Sequence, residues 1–462
     1  MTDSLGSQLR GWDAATWRAS SDATMRSTVV ALIVLDSAPP WSALQDRVDR
    51  LTRLVPVLRK RPLYGVTGLS APRLGIDPDF DLSVHLRRYR LAEHATWIDV
   101  LNEARRIRVK DFDRHRPLWD MALIEGLADG HAALIVKLHH AIADGAATVM
   151  MGLSLFDFAP EGNPDAPATP PEPEGQDVSV RDVSLANAAD NLQRGMDAAL
   201  VLLKGASSLL KDTVVDPFGT WDRTKGFVES VGRVVSMPRQ SMSPLLTGRG
   251  TTYSFGTLAV AFPQLRQAAR SRGLNVNDAF MAAVCSGLAK YHERHGQPVE
   301  ELRFNVPVSL RSGPGDRTGQ ASNAVSIARL ELPVNGGNVD VWMGAAHEGV
   351  AIARAEPALG MADPLAEVSW VVPVPVLASA AQASDVTASN VPGPPIPMYL
   401  CGSRVLATYP LVATIGAAVN ITMVTYDGTA FIGVSADDRA VGDLGHLIRD
   451  LEAGFAEVIG AS

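Results

Sequence analysis

The stretch of sequence that decides the fold is AALIVKLHHAIADG, residues 132–145. Its first seven residues form a short apolar run, which is typical of a buried β-strand. His139 and His140 follow this run directly, and Asp144-Gly145 comes after three further residues. Because Asp is a favoured N-cap and Gly permits a sharp change of chain direction, a helix is expected to begin there. The stretch therefore predicts a strand, a tight turn and then a helix from Gly145 to Phe158.

The two adjacent histidines are expected to differ in role. Side chains alternate between the two faces of a strand, so one imidazole should point into a cleft and the other into the core. An imidazole held at a strand end has the near-neutral pKa and the fixed orientation that a general base requires. We predict that His140 is the catalytic base and that His139 supports it. Asp144 is expected to shape the turn and to pair with an arginine.

Strands and helices alternate on both sides of this motif. On the N-terminal side, the apolar run from Thr28 to Leu35 predicts a buried strand, and the spacing from Ala43 to Leu58 predicts a helix. Alternation from Phe80 to Leu86 predicts a half-exposed strand. Further strands are predicted at 253–260, 304–310, 324–332, 405–409, 418–426 and 429–435, with helices at 262–271, 276–292 and 443–458. This order predicts a mixed α/β fold with two related halves that share one cleft.

A change in composition separates the two halves. Residues 160–177 are rich in proline and acidic residues and have no apolar periodicity, which predicts a flexible linker. We therefore expect an N-terminal half at 1–159, a helical connector at 178–248 and a C-terminal half at 249–462. Residues 185–239 read as helical, with Lys204 and Lys211 among apolar residues. Such a segment either packs across the two halves or touches lipid with its apolar face.

Overall composition narrows the classes of function. The net charge of −8 gives no cationic field that would attract nucleic acid. Cys285 and Cys401 both stand in apolar runs, which predicts buried thiols, and no Cys/His cluster suggests a metal site. The first ten residues lack a signal-peptide pattern, and no apolar run reaches the ~18–20 residues of a membrane span. A cytoplasmic protein without a bound metal is therefore expected.

The chain resembles a known family at its histidine motif. His139-His140-x-x-x-Asp144-Gly145 is similar to the HHxxxDG motif of the acyltransferase superfamily that includes chloramphenicol acetyltransferase, peptide-synthetase condensation domains and bacterial wax ester synthase/diacylglycerol acyltransferases. Other stretches resemble blocks of the last group and occur in the same order. They are Arg116-Pro117-Leu118-Trp119 (PLW), Val276-Asn277-Asp278 (ND), Asn305 to Arg311 (PVS-R), Ser389 to Pro394 (SNVPGP) and Asn420 to Gly428. Together they extend the resemblance over nearly the whole chain.

Two stretches depart from the pattern of that family. Thr24-Met25-Arg26 stands where the family often has Pro-Met-His, and Ser322-Asn323 stands where Gly-Asn is expected. These differences bear on the choice of acceptor and on catalytic strength more than on the fold.

The resemblance implies a fold and a reaction. The fold would be two chloramphenicol acetyltransferase-like halves, each a mixed sheet with helices, around a central cleft. The reaction would be direct transfer of a long-chain acyl group from acyl-CoA to diacylglycerol or a fatty alcohol, with no acyl-enzyme and no bound cofactor. His140 would take the proton of the acceptor hydroxyl. The lack of a Gly-x-Ser-x-Gly nucleophile elbow agrees with direct transfer.

Further residues are assigned to the site on the same basis. Asn277, at a predicted helix start, is the candidate oxyanion donor, and its alternative role is to cap that helix. Arg311 is the candidate partner of Asp144, and otherwise a surface arginine. The residues expected to support the site structurally are Gly145, Pro117, Trp119 and Asp278. We expect Trp119 to be structural rather than a contact to the substrate.

Two alternatives stay open at this point. One is condensation-type acyl transfer from a carrier protein, and the other is a non-catalytic relative that binds a lipid droplet or a membrane. A lipid acceptor would place the protein peripherally at the inner membrane face or on lipid droplets. The sequence leaves open the acyl chain length, the preferred alcohol and the oligomeric state.

Overall fold

The computed structural model describes most of the chain. The described residues are 5–66, 70–92, 95–142, 145–164, 166–175, 177–193, 240–309, 325–355 and 373–460.

The strands of the described residues alternate with helices along the chain. The strands are β1 (Ser7–Gln8), β2 (Thr28–Leu35), β3 (Lys60–Leu63), β4 (Arg73–Ile76), β5 (Leu86–Arg90), β6 (Trp119–Glu125), β7 (Ala132–His139), β8 (Tyr253–Ala261), β9 (Glu301–Ser309), β10 (Val325–Pro333), β11 (Val386–Val391), β12 (Tyr399–Leu400), β13 (Ser403–Val412), β14 (Val419–Tyr426) and β15 (Thr429–Asp437). The helices are α1 (Gly11–Ala19), α2 (Trp41–Leu54), α3 (Leu82–His85), α4 (Trp97–Val109), α5 (Gly145–Leu155), α6 (180–193), α7 (Phe262–Arg270), α8 (Val276–Arg294), α9 (Val339–Ala355), α10 (Val374–Gln382) and α11 (Leu444–Gly460).

The first lobe is built on a six-stranded sheet with the order β12-β13-β2-β7-β6-β5. All neighbours in it are antiparallel except β5 and β6, which run parallel. β2 and β7 pair along their whole length, with Thr28 opposite His139. A three-stranded sheet, β1-β4-β3, accompanies this lobe. The histidine pair therefore lies at the end of a central strand.

The second lobe is built on a six-stranded sheet with the order β10-β9-β11-β14-β15-β8. β11 runs parallel to both of its neighbours, and the other pairs are antiparallel. One face of this sheet packs on α8, α9 and α11 in a large apolar core that includes Phe304, Ile421 and Ile432. The opposite face meets the first lobe, where Phe255 of β8 packs with Val30.

Two strands from the C-terminal part of the chain, β12 and β13, belong to the sheet of the first lobe. β13 follows β11 in the chain but joins the first sheet, where Tyr409 pairs with Leu32 of β2. β13 passes so close to β15 that a Cβ at Gly433 would lie 2.0 Å from the Pro410 carbonyl oxygen. Only glycine allows this approach. Polar contacts add to the junction, since Trp97 Nε1 donates to Thr257 Oγ1 at 2.9 Å and Arg105 pairs with Asp438 at 2.8 Å.

The predicted α/β fold class is confirmed. Each lobe has a sheet with both parallel and antiparallel strands, accompanied by helices. The residue limits of the predicted domains stay a prediction. The predicted linker has neither helix nor strand within its described residues. In the predicted connector, α6 covers 180–193, whereas the described residues 240–248 form neither helix nor strand. The remainder of the helical prediction, 194–239, lies outside the described residues.

One predicted element is wrong. The alternating residues 80–86 were expected to form a strand, but Leu82–His85 is helical and the strand begins only at Leu86. The cause is local, because the Asp81 carboxylate accepts the Ser83 N–H at 2.8 Å and so starts a helical turn. The prediction of buried thiols is correct for Cys285, whereas Cys401 is only partly buried.

No helix among the described residues combines the length and the apolar character needed to cross a membrane.

Candidate active site

The predicted strand, turn and helix are present around the histidine pair. β7 ends at His139, a 3₁₀ turn covers His140–Ile142, and α5 begins at Gly145. The PLW block lies alongside, because the main-chain N–H of His139 donates to the Leu118 carbonyl at 3.0 Å. The end of β7 is thus held on the side of β6 as well as on the side of β2.

His139 is buried, with 4% of its surface exposed. Its Nδ1 accepts the main-chain N–H of Ala141 at 3.1 Å, and its Nε2 lies 3.1 Å from Ser20 Oγ. The ring lies between the aromatic rings of Trp17 and Phe112, at centroid distances of 5.1 and 5.9 Å. Both nitrogens of this imidazole are therefore bonded inside the core, and the supporting role of His139 stays a prediction.

Burial keeps His139 uncharged. Desolvation is the main cause that lowers the pKa of His139 to about 3, and electrostatic interactions with His140, Arg114 and Lys137 add to it. Lys137 is itself buried in β7, where its ammonium donates to the Lys110 carbonyl at 2.6 Å. His139 therefore cannot act as a proton carrier near neutral pH.

This low pKa predicts a loss of stability in acid. An unfolded His139 takes up a proton as the pH falls below its ordinary pKa of about 6.5, whereas the folded protein binds that proton only near pH 3. The contribution of His139 is therefore complete above pH ~6.5 and decreases as the pH falls, by up to about 1.4 kcal/mol per pH unit.

The measurement is the unfolding midpoint of the parent and of His139→Gln between pH 7.5 and 5. His85, His140 and His292 also have pKa values lowered by burial, so the parent slope is a sum over several groups. The difference between the two proteins isolates His139 and should shrink as the pH falls. A difference that stays constant with pH would contradict the assignment.

His140 differs from its neighbour in being partly exposed. Its main-chain N–H donates to the Ser27 carbonyl at 2.8 Å, which fixes the start of the turn. Its Nδ1 is buried and has no hydrogen-bond partner among the described residues. Burial lowers the pKa of His140, and an interaction with its own main chain opposes this in part. The ring is therefore neutral near pH 7, which is the form a general base needs.

Two residues that were predicted to pair with each other beside the histidine turn lie outside the described residues. These are Asp144 and Arg311, so the predicted ion pair between them stays a prediction. The helix does begin at Gly145, as an N-cap at position 144 requires.

The PLW block lies beside β7, at the start of the neighbouring strand β6. Pro117 and Trp119 are buried, and Trp119 Nε1 donates to the Leu58 carbonyl at 2.7 Å. The Trp119 ring stacks on His85 at 4.7 Å, and His85 Nδ1 in turn bonds to the Trp119 carbonyl at 2.8 Å. These contacts are those of a structural residue.

The ND block begins α8 in the second lobe. The helix cap is Asn275, whose side chain accepts the N–H groups of Asn277 and Asp278, so the alternative role predicted for Asn277 belongs to Asn275. Asp278 completes the capping box and also lies 3.0 Å from His347 Nδ1. Asn277 is partly exposed and belongs to the helical layer behind the second sheet. Its role as oxyanion donor stays a prediction.

Residues that sequence reasoning missed hold the histidine turn in place. They are Ser20 after α1, Ser27 before β2, and Arg114, whose Nη2 donates to the Ser20 carbonyl at 3.2 Å. Ser20 meets His139 across 119 positions of sequence, so no local pattern indicates the contact. Within the described part of the chain, no group of three or more His, Cys, Asp or Glu side chains could hold a metal ion.

Comparisons with known families identify two matching regions. Residues 9–280 match the family model described as the wax ester synthase/diacylglycerol acyltransferase catalytic domain. Residues 321–458 match the model of the C-terminal domain of the same family.

Similar proteins are found among mycobacterial sequences. A Mycobacterium tuberculosis protein named as a diacylglycerol O-acyltransferase is 32% identical over 468 residues, which cover 98% of this chain and 92% of that protein. A second protein of that name from the same species, tgs1, is 28% identical and covers 94% of this chain and 91% of the relative.

Solved structures share the two-lobed fold. The wax ester synthase/diacylglycerol acyltransferase from Marinobacter aquaeolei VT8 matches with a TM-score of 0.65 at 21% identity, over 98% of this chain and 99% of that one. The first condensation domain of the calcium-dependent antibiotic synthetase matches with a TM-score of 0.61 at 15% identity, over 98% and 95%. At these identities the likeness concerns the fold alone.

Proposed function

Because the chain belongs to the wax ester synthase/diacylglycerol acyltransferase family, we propose that it moves a long-chain acyl group from acyl-CoA to diacylglycerol or a fatty alcohol. Family membership makes the chain an acyltransferase that forms triacylglycerol or wax esters. The proposal adds the donor, the acceptor class and the base, which is His140. One observation carries the assignment of the base. Both motif histidines are neutral near pH 7, but only His140 is partly exposed.

The reaction at His140 is a single direct transfer. The neutral imidazole removes the proton of the acceptor hydroxyl as the hydroxyl oxygen attacks the thioester carbonyl carbon. The tetrahedral oxyanion then collapses, the C–S bond breaks, and the imidazolium returns the proton to the departing CoA thiolate. Because Nδ1 is buried, Nε2 is the nitrogen that would face the substrate.

Two further groups complete the proposed site. The Asn277 amide would donate to the oxyanion, which carries the negative charge that develops during attack. An ion pair between Asp144 and Arg311 would hold the turn that follows His140. Both roles rest on the resemblance of the ND, HHxxxDG and PVS-R blocks to those of the family.

The experiment is an assay of the purified chain across donors and acceptors. A panel of acyl-CoA chain lengths is combined with diacylglycerol, fatty alcohols and short alcohols, and the lipid products are separated. The expected product is triacylglycerol or a wax ester. Acyl carrier protein loaded with the same acyl groups serves as the matched donor. Ester formed only from the carrier would favour condensation-type transfer, and lipid binding without ester from any pair would favour the non-catalytic alternative.

The lowered pKa of His140 predicts the pH dependence of the reaction. The base must be neutral, so kcat/KM should rise with pH through the pKa of His140 and then stay level. Because burial lowers that pKa, the midpoint of the acid limb should lie below about 6.5. The measurement is kcat/KM from pH 4.5 to 8.5, with samples returned to pH 7.5 to exclude acid inactivation. A limb centred at or above pH 6.5 would contradict the assignment.

We also propose that the protein works at a lipid surface, attached peripherally to the inner membrane face or to lipid droplets. Apolar side chains on and beside α6 support this, since Val66, Leu185 and Leu192 are 75%, 60% and 69% exposed. Exposed apolar residues of this size mark interaction sites when they cluster. Flotation of the purified protein with phospholipid vesicles is the test. A Leu185→Ser/Leu192→Ser variant should float less, and equal flotation would contradict the role of α6.

A further inference from the structure

The tautomer of His139 follows from its two hydrogen bonds. Nδ1 accepts the N–H of Ala141, and a main-chain N–H can only donate, so Nδ1 carries no proton. In a neutral imidazole the other nitrogen is then the protonated one. Nε2–H therefore donates to Ser20 Oγ at 3.1 Å. Ala141 therefore sets the tautomer, and Ser20 is the acceptor that the protonated Nε2 of this tautomer requires.

The hydroxyl of Ser20 is fully used. It donates to the Thr16 carbonyl at 2.8 Å and accepts from Nε2 of His139 and from the main-chain N–H of Ser27, the latter at 3.2 Å. One hydroxyl offers one donor and two acceptor positions, so all three are occupied. Ser20 is only 4% exposed, so a lost partner is not readily replaced by bulk water.

The hydrogen bonds of Ser20 with Ser27 and with His139 connect it to the main chain around His140. Ser27 accepts the N–H of His140 at its carbonyl, and His139 accepts the N–H of Ala141 at Nδ1. The main-chain N–H groups of His140 and Ala141 are thus held by Ser27 and His139. Both of these residues bond to the Ser20 hydroxyl.

We propose that Ser20 is a positioning residue for His140, because its hydroxyl binds the Nε2–H of His139 and the N–H of Ser27 before β2 together and so sets the turn that carries the base. This inference rests on the proposed function of His140 as general base. Ser20 acts through other residues, and its burial keeps it away from the substrate. Its loss should therefore affect the chemical step more than substrate binding.

The test variant is Ser20→Ala. It leaves the Nε2–H of His139 and the N–H of Ser27 without acceptors, and frees the ring to turn. A displacement of about 1 Å in a reacting group costs on the order of 10²-fold in rate. We expect kcat to fall by about that factor while KM changes by less than about twofold. Ser20→Thr keeps the hydroxyl and should recover most of kcat.

The second lobe offers a matched control in Ser243. It is 1% exposed, its Oγ lies 2.7 Å from Nε2 of the buried His292, and it accepts the N–H groups of Leu245 and Leu246. Ser243→Ala therefore removes an equally buried and equally bonded hydroxyl beside a histidine. Its thermal midpoint should fall by a similar amount, whereas kcat should stay within about threefold of the parent.

The outcomes separate this inference from the proposed function. His140→Ala is assayed in parallel, and activity retained by that variant would overturn the proposed function. If His140→Ala is inactive but Ser20→Ala keeps kcat within about threefold, only the role of Ser20 is wrong. A loss of kcat in Ser243→Ala as large as that in Ser20→Ala would also overturn it, because the effect would then be structural.

A spectroscopic measurement on the parent protein does not depend on the folding of any variant. Nitrogen NMR of protein labelled at histidine reports which ring nitrogen carries the proton, and the His139 signals are assigned by their loss in His139→Gln. At neutral pH we expect the proton on Nε2. A proton on Nδ1, or a charged ring, would overturn the role of Ser20.

Discussion

Replacing His140 by alanine is expected to lower kcat by about 10²–10⁴-fold, which is the usual contribution of a general base. The variant removes the partly exposed imidazole at the end of β7 and leaves its main-chain bond to the Ser27 carbonyl in place. His139 cannot substitute, since burial lowers the pKa of its ring to about 3 and both ring nitrogens are bonded. The loss should appear in kcat, with substrate binding largely kept.

The measurement is initial rates of ester formation at saturating acyl-CoA and acceptor, with the fold checked by thermal unfolding. His446→Ala is the control, because His446 lies on α11 with 36% of its side chain exposed and pairs with Asp443 at 3.0 Å. That variant should keep parent activity. If His140→Ala were folded and kept near-parent kcat, another group would have to be the base.

The unequal exposure of the two histidines has a physical cause that the sequence contains. His139 is the last residue of β7 and follows the alternation of the strand into the core. His140 begins the 3₁₀ turn, where the chain leaves the sheet, and its side chain is partly exposed. Strand periodicity and the turn signals around Asp144-Gly145 are both local, so this part of the site could be predicted.

Predictions of single strands succeeded for the same reason. The apolar run of β2 has the bounds Thr28–Leu35 that the sequence indicates, and β14 differs from its predicted start by one residue. At residues 80–86 the alternation of apolar and polar side chains predicted a strand, but the Asp81 carboxylate accepts the Ser83 N–H and starts a helical turn. The alternation of polarity contains no information about this hydrogen bond. The pattern of period two failed here because a capping side chain within it starts a helical turn.

Long-range pairing could not be predicted in this way. The residues of β13 read correctly as a strand, but nothing in them indicates that Val405 pairs with Leu35 in the sheet of the other lobe. The bond between His139 and Ser20 is similar, since it depends on where α1 packs against the first lobe. The contacts around the histidine pair are products of tertiary structure, whereas the proposed base is indicated by local sequence.

Replacing Trp119 by alanine is expected to destabilise the protein by about 3–5 kcal/mol, the usual cost of truncating a large buried aromatic residue. Trp119 is fully buried, stacks on His85 at 4.7 Å, and donates from Nε1 to the Leu58 carbonyl at 2.7 Å. Alanine leaves a cavity between β6 and the 3₁₀ segment Pro56–Arg59, and an unbonded carbonyl within it. The expected measurement is a lower unfolding midpoint, with KM for both substrates little changed in the folded fraction.

Trp119→Phe separates the loss of the hydrogen bond to Leu58 from the loss of aromatic packing. Phenylalanine keeps an aromatic ring against His85 but cannot donate to Leu58, so its cost should be nearer the ~1–3 kcal/mol of one unsatisfied buried group. A graded loss of stability, larger for alanine than for phenylalanine, with KM unchanged in both, is the result expected of a residue that supports β7 through β6. A several-fold rise in KM without a loss of stability would instead place the indole against the substrate, and the PLW block would then belong to the binding site rather than to the support of the histidine turn.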